Sequence, residues 1–287
     1  MTETFQKTVL ITGANTGIGA ATAKELARRG ARVFFACRSE AKTRPVMDAI
    51  AKETGNGDLH FLELALDDLA SVARCAATFN ARGEPLHVLI NNAGLARVKG
   101  VTKQGFETTF GVNHLGPFLL TLELEGALKA GAPSRVVVVA SRAHERASRP
   151  ISDEELQGPT RSVTGWREYQ VSKLANVHFT NELARRWANT GITTYALHPG
   201  VIASDIWRTT AWPLRSIAMR FMRTTEEGAT ASLRCATAPE LANETGQYYG
   251  EDGLPRAQGR FAGDTAAAKK LWEQSLAWVA PFRKATS

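Results

Sequence analysis

Two side chains that could move a proton stand four residues apart in the middle of the chain. Tyr169 and Lys173 lie in a segment, 166–187, whose apolar residues recur with helical spacing. Residues four apart share one face of a helix, so the phenol and the ammonium would point the same way. A nearby cation favours the phenolate and should lower the tyrosine pKa toward the range that acid–base catalysis needs. The pair predicts a catalytic site; chance spacing is the alternative.

A glycine-rich turn near the amino terminus could hold a phosphate group. Residues 7–11 are a β-branched run, residues 20–29 are good helix formers, and Gly13, Gly17 and Gly19 lie between them. Glycine lets the backbone approach a pyrophosphate closely, and the helix offers free N–H groups and the positive end of its dipole. The strand, turn and helix predict a dinucleotide site, although the spacing G-x-x-x-G-x-G differs from the common G-x-G-x-x-G.

The end of the second predicted strand, 31–36, indicates which dinucleotide binds. An NAD-binding protein carries an acidic residue there for the ribose 2′-hydroxyl. This chain has Cys37 and then Arg38, with Lys42 and Arg44 nearby. A guanidinium without a competing carboxylate favours a 2′-phosphate. We therefore predict NADP(H) rather than NAD(H); the alternative is an ordinary surface arginine.

Polar and small residues follow the next strands as well. The run Asn91-Asn92-Ala93-Gly94 comes after the predicted strand 86–90, and Ser141 comes after the predicted strand 135–140. The carboxyl ends of strands face the ligand crevice of a doubly wound sheet, so these residues would line it. For the asparagine run, a simple Asn/Gly turn is an equal alternative.

Asn113 lies in a long apolar helical stretch, 105–130, shortly before the breaker pair Gly116-Pro117. An asparagine beside a proline in such a stretch predicts a kink with exposed backbone groups. A solvated surface asparagine is the alternative.

Strands and helices alternate along the whole chain. Further strands are predicted at 59–66, 192–197 and 247–250, and further helices at 69–79, 225–236 and 266–279. This alternation predicts an α/β fold with a parallel sheet, right-handed crossovers and helices on both faces. No repeat or linker interrupts it, so residues 1–287 are predicted to form one domain.

Two segments differ from this pattern and are expected to shape the substrate site. Residues 142–165 form a polar, Pro/Gly-bearing loop, and residues 201–224 include a stretch, 205–223, in which aromatic and aliphatic residues alternate with arginines. That stretch predicts short amphipathic helices. They could cap an apolar pocket, lie on a membrane surface, or pack against the domain.

Composition excludes several classes of protein. The chain has 287 residues, a net charge of +7 and a hydrophobic content of 44%, which is ordinary for a globular protein. Its basic residues are scattered, which favours a solvated surface over a nucleic-acid interface. The three cysteines are far apart, which argues against metal binding and disulfides and favours a reducing, cytoplasmic compartment. We expect no signal peptide and no transmembrane segment, because no apolar run approaches ~20 residues.

Together these motifs resemble those of the short-chain dehydrogenase/reductase family, in the same order and over nearly the whole chain. The closest similarity is to its retinol dehydrogenase and WW-domain oxidoreductase branch. The matching residues are the turn 12–19, Ala36-Cys37-Arg38, Asn91-Asn92-Ala93-Gly94, Asn113-His114-Leu115-Gly116, Ser141, Tyr169, Ser172-Lys173-Leu174-Ala175-Asn176 and His198-Pro199-Gly200-Val201. The resemblance implies a single-domain Rossmann fold with a seven-stranded parallel sheet in the order 3-2-1-4-5-6-7.

The resemblance also implies roles. Tyr169 would be the general acid/base, Lys173 would lower its pKa and bind the nicotinamide ribose, Ser141 would polarise the carbonyl, and Asn113 would position a relay water. The implied cofactor contacts are Gly13, Asn15, Thr16, Gly17, Ile18, Gly19, Arg38, Asn91, Ala93, Gly94, Tyr169, Lys173, Pro199, Gly200 and Val201.

The chain departs from the family pattern after the third strand. The family usually has an aspartate there that contacts the adenine, whereas this chain has Ala65, with Asp67 and Asp68 slightly downstream. We also expect neither the membrane anchor that animal retinol dehydrogenases often carry nor a WW domain.

Two functions from different classes follow. The first is an NADP(H)-dependent oxidoreductase that interconverts a lipophilic alcohol and its aldehyde or ketone, working mainly as a carbonyl reductase. The second is a non-catalytic NADP(H)-binding sensor or scaffold of the same fold. The basic segment 205–223 leaves surface membrane association open, and the resemblance implies a homo-oligomer that pairs through the helices at 105–130 and 166–187.

Overall fold

The computed structural model describes residues 4–200 and 224–283. One seven-stranded parallel sheet has the order β3-β2-β1-β4-β5-β6-β7, which confirms the predicted α/β fold and strand order. The strands are β1 (Thr8–Thr12), β2 (Arg32–Cys37), β3 (Leu59–Glu63), β4 (Val88–Asn91), β5 (Ser134–Val139), β6 (Ile192–Leu197) and β7 (Gln247–Tyr249).

Helices cover both faces of this sheet. They are α1 (Gly17–Arg28), α2 (Glu40–Thr54), α3 (Leu69–Asn80), α4 (Thr108–Phe110), α5 (Gly116–Glu123), α6 (Glu125–Ala130), α7 (Trp166–Arg186), α8 (Thr225–Thr237) and α9 (Thr265–Val279), with a π-helical turn at Gly111–Leu115. None of the helices in the described ranges is both long and apolar enough to span a bilayer.

Each strand contributes to two hydrophobic layers because its side chains alternate between the faces of the sheet. In β5, Val136 and Val138 pack with α3, α5, α7 and α9, whereas Val137 and Val139 pack with α1, α2 and α8. A strand that is buried on both sides consists of an unbroken apolar run, and this is why the sequence Val136–Val139 was so informative.

The sequence analysis missed α2. Ser39 caps its amino terminus by accepting a hydrogen bond from the backbone N–H of Lys42 (3.4 Å), and Gly55 ends it with a φ of 74°. Pro45 lies inside this helix, and only Thr43, Met47 and Ile50 are buried. A proline and a narrow apolar face hide the helical period in the sequence.

The predicted helical stretch 105–130 is divided into several pieces. A π-helical turn, Gly111–Leu115, interrupts the α-helix where a kink was expected, Asn113 in it is buried rather than on the solvated surface, and Leu124 separates α5 from α6. The third strand is shorter than predicted, ending at Glu63 rather than at residue 66.

The carboxyl-terminal helix α9 covers part of the surface of α5 and α7. The Trp272 ring packs against Phe118 (centroids 4.9 Å apart) and Phe179 (6.0 Å), and the Arg186 guanidinium lies 4.8 Å from its centre. The predicted homo-oligomer would pair through the same two helices. That assembly stays a prediction, and any such pairing has to use the parts of α5 and α7 that α9 leaves open.

Candidate active site

Hydrogen bonds join the turns that follow β1 and β4 at the carboxyl edge of the sheet. The Thr12 hydroxyl accepts from the backbone N–H groups of Asn92 (3.0 Å) and Ala93 (2.9 Å). The Asn92 side chain donates in return to the Thr12 carbonyl (2.9 Å). The glycine-rich turn and the Asn-Asn-Ala-Gly turn therefore form one rigid unit beside the point where the strand order reverses.

The glycine-rich turn depends on glycine at two kinds of position. Gly13 and Gly17 have φ values of 66° and 55°, in the left-handed region that side chains disfavour. Gly19 is needed for close packing, since a Cβ atom there would lie 2.4 Å from the Gly13 carbonyl oxygen and 2.5 Å from the Asn92 amide nitrogen.

The start of α1 is open to a ligand. Thr16 begins the helix without a side-chain capping bond, and no acidic residue lies in the first turn. Gly17 has no heavy atom within 4 Å of the position that a Cβ atom would occupy. The free N–H groups and the positive end of the helix dipole therefore face free space, which suits the pyrophosphate of a dinucleotide.

The end of β2 lies directly below this turn. The buried Cys37 thiol is hydrogen-bonded by backbone groups of the turn and by Thr43, and burial raises its pKa, so it remains a neutral thiol. Arg38 is exposed and makes no ion pair among the described residues. Arg44 instead forms an ion pair with Glu40, so the positive charge expected from Arg44 is offset.

Two residues near the expected adenosine site, the predicted contact Asn91 and the downstream Asp68, have other partners. Asp68 caps α3 through the N–H of Ala70 and pairs with Lys103 at 2.7 Å, so it does not replace the missing adenine-binding aspartate. The Asn91 amide is buried and donates to the Thr121 hydroxyl at 3.0 Å. Its predicted cofactor contact would have to come from its unpartnered side-chain oxygen or its backbone.

Tyr169 is buried near the start of α7. Its ring lies 5.4 Å from that of Trp166 and packs with Ala96 and Ala143. Burial raises the pKa of Tyr169, and a hydrogen bond from the nearby Ser141 hydroxyl acts in the opposite direction. The net direction is therefore opposite to the one expected from the spacing, because the cost of burying a phenolate is the largest effect, and the lowering contribution of Lys173 stays a prediction.

Lys173 lies on the same face of α7, as its spacing predicted. Its ammonium nitrogen lies 5.7 Å from the centre of the Tyr169 ring and donates to the Val139 carbonyl at 2.8 Å. Burial lowers the pKa of Lys173 to about 8. A Cβ atom at Gly94 would lie 3.4 Å from this nitrogen and 3.3 Å from the Asn113 side-chain oxygen, so Gly94 packs directly against both groups.

Asn113 reaches the same floor from the π-helical turn. Its side chain accepts from the Leu95 N–H (2.7 Å) and donates to the Leu95 carbonyl (2.9 Å) and to the Ser172 hydroxyl (3.0 Å). Ser172, in turn, donates to the Tyr169 carbonyl (2.9 Å). These contacts hold the asparagine side chain firmly and leave its backbone, in the widened turn, as the group able to bind a water.

Sequence reasoning assigned no role to Ser172, although it connects Asn113 with the helix that carries Tyr169. Its position directly before Lys173 was the available signal. The predicted contacts Pro199 and Gly200 follow β6 at the same edge of the sheet, with a φ of 94° at Gly200. Residues 201–223 lie outside the described residues. They include the predicted cofactor contact Val201, all but the last residue of the predicted substrate segment 201–224, and the basic segment 205–223.

The geometry can be compared with that of known proteins. The family model for short chain dehydrogenases matches residues 7–152. Human retinol dehydrogenase 12 is 45% identical over 275 residues, which are 94% of this chain and 85% of that protein. The chain belongs to the short-chain dehydrogenase family.

Solved structures of similar proteins agree with the fold. An uncharacterized protein from Mycobacterium Paratuberculosis has a TM-score of 0.77 and 35% identity, over 97% of this chain and 95% of that one. A protein from Beutenbergia cavernae assigned as an NAD(P) dependent gluconate 5-dehydrogenase, with NADP bound at low occupancy, has a TM-score of 0.71 and 26% identity, over 87% and 97% of the two chains.

A short-chain dehydrogenase fold implies a nicotinamide cofactor, and the residues present fit one. The glycine-rich turn presents its backbone to open space, the α1 amino terminus lacks a side-chain cap, and Gly94 leaves the space beside the buried Lys173 ammonium free of a side chain. These features lie side by side along the edge formed by the carboxyl ends of the strands, so one extended dinucleotide could contact all of them.

Proposed function

We propose that this short-chain dehydrogenase is an NADP(H)-dependent oxidoreductase that interconverts a lipophilic alcohol and its aldehyde or ketone, working mainly as a carbonyl reductase. The observation that carries the proposal is the grouping of Ser141, Tyr169 and Lys173 beside the glycine-rich turn. A bound nicotinamide would supply or accept the hydride.

The protein's own residues would handle the proton. Tyr169 stays protonated at pH 7, since burial raises its pKa, and it can therefore donate to a carbonyl oxygen that gains charge. The Ser141 oxygen accepts from the Ala143 N–H (3.1 Å), and its own O–H, which meets Tyr169 in this structure, would turn to the same substrate oxygen when a substrate binds. Lys173 is a buried cation close to the ring, and it would stabilise the tyrosinate that remains after proton transfer.

The preference for NADP(H) rests on Arg38. The guanidinium is exposed directly after β2, and the neighbouring Cys37 is a neutral thiol where a carboxylate would repel a phosphate. Comparing the KM values for NADPH and NADH tests this assignment. A preference for NADH would contradict it.

The lipophilic substrate class rests on the surroundings of Tyr169. Trp166, Ala96 and Ala143 present an apolar surface around the reactive hydroxyl, which favours a substrate with apolar bulk next to its carbonyl. The relatives named retinol dehydrogenase add support for a long apolar alcohol or aldehyde. A panel of aldehydes and ketones graded in size and polarity, followed by NADPH absorbance, tests this; turnover that falls with apolar bulk would contradict it.

The Tyr169→Phe variant tests the chemistry directly. We expect turnover to fall by about 10²–10⁴-fold or more, the contribution typical of general acid–base catalysis, while NADPH binding by fluorescence is retained. Tyr195→Phe is the matched control, because Tyr195 is buried in the opposite core layer and hydrogen-bonds the Leu241 carbonyl. Unchanged turnover in Tyr169→Phe would refute the assignment. Tight NADPH binding without turnover of any substrate by the wild type would favour the sensor or scaffold.

We also propose a cytoplasmic location, which the three free, buried cysteines support, and cell fractionation tests it. Surface membrane association remains a separate proposal from the basic segment 205–223. Failure of the protein to co-sediment with anionic vesicles at low salt would exclude it.

A further inference from the structure

His144 is buried immediately behind Ser141, outside the group of residues that would touch substrate. It belongs to the 3₁₀ turn Arg142–Arg146, which follows β5, and it is only 1% exposed. The Ser141 carbonyl accepts two hydrogen bonds from this one residue, from its backbone N–H (3.1 Å) and from its ring nitrogen Nδ1 (2.6 Å). The backbone of Ser141 is therefore held from behind by an imidazole.

The other ring nitrogen of His144, Nε2, accepts a hydrogen bond rather than donating one. The backbone N–H of Gly259 donates to Nε2 of His144 at 3.0 Å. Because a carbonyl can only accept and an N–H can only donate, both contacts are satisfied only by the neutral imidazole with its proton on Nδ1. Burial lowers the pKa of His144, which keeps the ring neutral and preserves this arrangement.

Gly259 is the residue that permits the contact. A Cβ atom there would lie 2.7 Å from the Glu145 Cα and 3.1 Å from the His144 ring carbon Cδ2, so a side chain would force the two segments apart. The Tyr248 ring also meets the imidazole edge to face, with centroids 4.8 Å apart. Both Gly259 and Tyr248 therefore pack against the imidazole.

The segment around Gly259 is itself attached to the helix that carries Tyr169 and Lys173. Residues 256–262, which we name the brace, connect β7 toward α9. The Gln258 amide exchanges two hydrogen bonds with the Asn181 amide of α7 (2.8 and 3.0 Å), and Asn181 also donates to the Ala262 carbonyl at 3.1 Å. The brace therefore contacts the 3₁₀ turn on one side and α7 on the other.

We propose that His144 is a positioning residue, which couples Ser141 through the brace to α7 and so fixes the serine hydroxyl relative to the Tyr169 hydroxyl. The two groups come from different elements, β5 and α7, and a substrate oxygen has to meet both at once. Loss of the imidazole would release the Ser141 backbone without removing any group that touches the substrate or the cofactor. This inference rests on the proposed function of Ser141 and Tyr169.

Three variants test the proposal in the full-length protein. His144→Leu removes both ring contacts, His144→Asn restores only a donor toward the Ser141 carbonyl, and Gly259→Ala forces the brace away. Because displacement of a reacting group by about 1 Å can cost 10²-fold, we expect kcat to fall by about 10–100-fold in His144→Leu and Gly259→Ala. We expect His144→Asn to recover part of this loss, with NADPH affinity unchanged in all three.

The matched control is His87→Leu, because the His87 ring accepts from the Thr8 N–H (3.1 Å) at the opposite edge of the sheet. It removes one histidine hydrogen bond and should leave kcat unchanged. Urea unfolding of every variant separates local displacement of Ser141 from general instability. A folded His144→Leu protein with wild-type NADPH affinity and low kcat would support the positioning role.

Two results would overturn the inference. One is a folded His144→Leu variant with wild-type kcat. The other is a loss of kcat in His144→Leu that is explained entirely by its lower stability and that His144→Asn does not partly restore. Failure of the proposed function would look different, because Tyr169→Phe would then keep its turnover as well. A dead Tyr169→Phe enzyme beside a fully active His144→Leu enzyme would leave the function standing and remove the positioning role.

Discussion

The buried ammonium of Lys173 destabilises the folded protein, and this effect should be measurable as a pH dependence of the free energy of unfolding. The side chain is 4% exposed, and burial lowers its pKa from an ordinary value of 10.5 to about 8. Since one pKa unit corresponds to about 1.4 kcal/mol, keeping this group charged at pH 7 lowers the free energy of unfolding by about 3 kcal/mol.

The sign of the pH dependence follows from the two pKa values. Between pH 8 and 10.5 the unfolded chain holds the proton that the folded protein has released, so the free energy of unfolding rises with pH in this window. The destabilisation is complete below about pH 8 and disappears above the unfolded pKa. The slope that this one group contributes reaches about 1.4 kcal/mol per pH unit.

Lys173→Met removes the charge, keeps the length of the side chain and leaves the Val139 carbonyl without its donor. The lost charge stabilises by about 3 kcal/mol at pH 7, and the unpartnered carbonyl costs about 1–3 kcal/mol, so the variant should be up to about 2 kcal/mol more stable. Raising the pH from 7 to 9.5 should stabilise the wild type by about 2 kcal/mol relative to the variant.

Urea unfolding followed by circular dichroism, at pH 7 and at pH 9.5, measures this difference. The wild-type and variant titrations share all other ionisable groups, so their difference isolates Lys173. Lys269→Met, an exposed substitution on α9, should reproduce the wild-type pH dependence. Parallel curves for wild type and Lys173→Met would refute the reasoning, because they would mean that the folded protein does not depress the lysine pKa.

Three further predictions concern cofactor choice, the glycine-rich turn and the carboxyl-terminal helix. Arg38→Asp should raise the KM for NADPH by about 10–100-fold and leave the KM for NADH nearly unchanged. The control Arg74→Asp, at an exposed position, should change neither KM, and equal changes in both KM values for Arg38→Asp would contradict a 2′-phosphate contact. Gly19→Ala should abolish NADPH binding because its Cβ atom would overlap the turn, while Gly126→Ala, with open space around it, should retain binding; binding by Gly19→Ala measured by fluorescence would show that the turn tolerates a shift. Trp272→Ala should lower the free energy of unfolding by about 3–5 kcal/mol through the cavity left against α5 and α7, and a loss below about 1 kcal/mol in urea would mean that α9 packs loosely.

Several features could be predicted from residue type and spacing because their causes are local. The run Val136–Val139 requires burial on both faces, and a tyrosine four residues before a lysine in a helix shares a face with it. The glycine-rich turn likewise follows from a strand, three glycines and a helix in sequence. Each of these depends on neighbours within a few residues.

Other features depended on groups far away in the chain. The helix α2 has Pro45 and a narrow buried face, so only its packing against the sheet establishes it. Asp68 lies slightly downstream of the position where the family has its adenine-binding aspartate, but Lys103 and the start of α3 use its carboxylate. The Tyr169 pKa has the opposite direction from that expected of a nearby cation, because the extent of burial is not encoded in a four-residue spacing.

The sequence was therefore sufficient for the sheet, for its strand order through the family resemblance, and for placing Tyr169 and Lys173 on one face of a helix. Tertiary structure was needed to show that Ser172 holds Asn113 and that His144 links Ser141 to a segment more than a hundred residues later. Periodicity and turn chemistry act between near neighbours and leave a pattern in the sequence. Hydrogen-bond partners and desolvation are set by whichever distant segment packs against a group, and no local pattern records that choice.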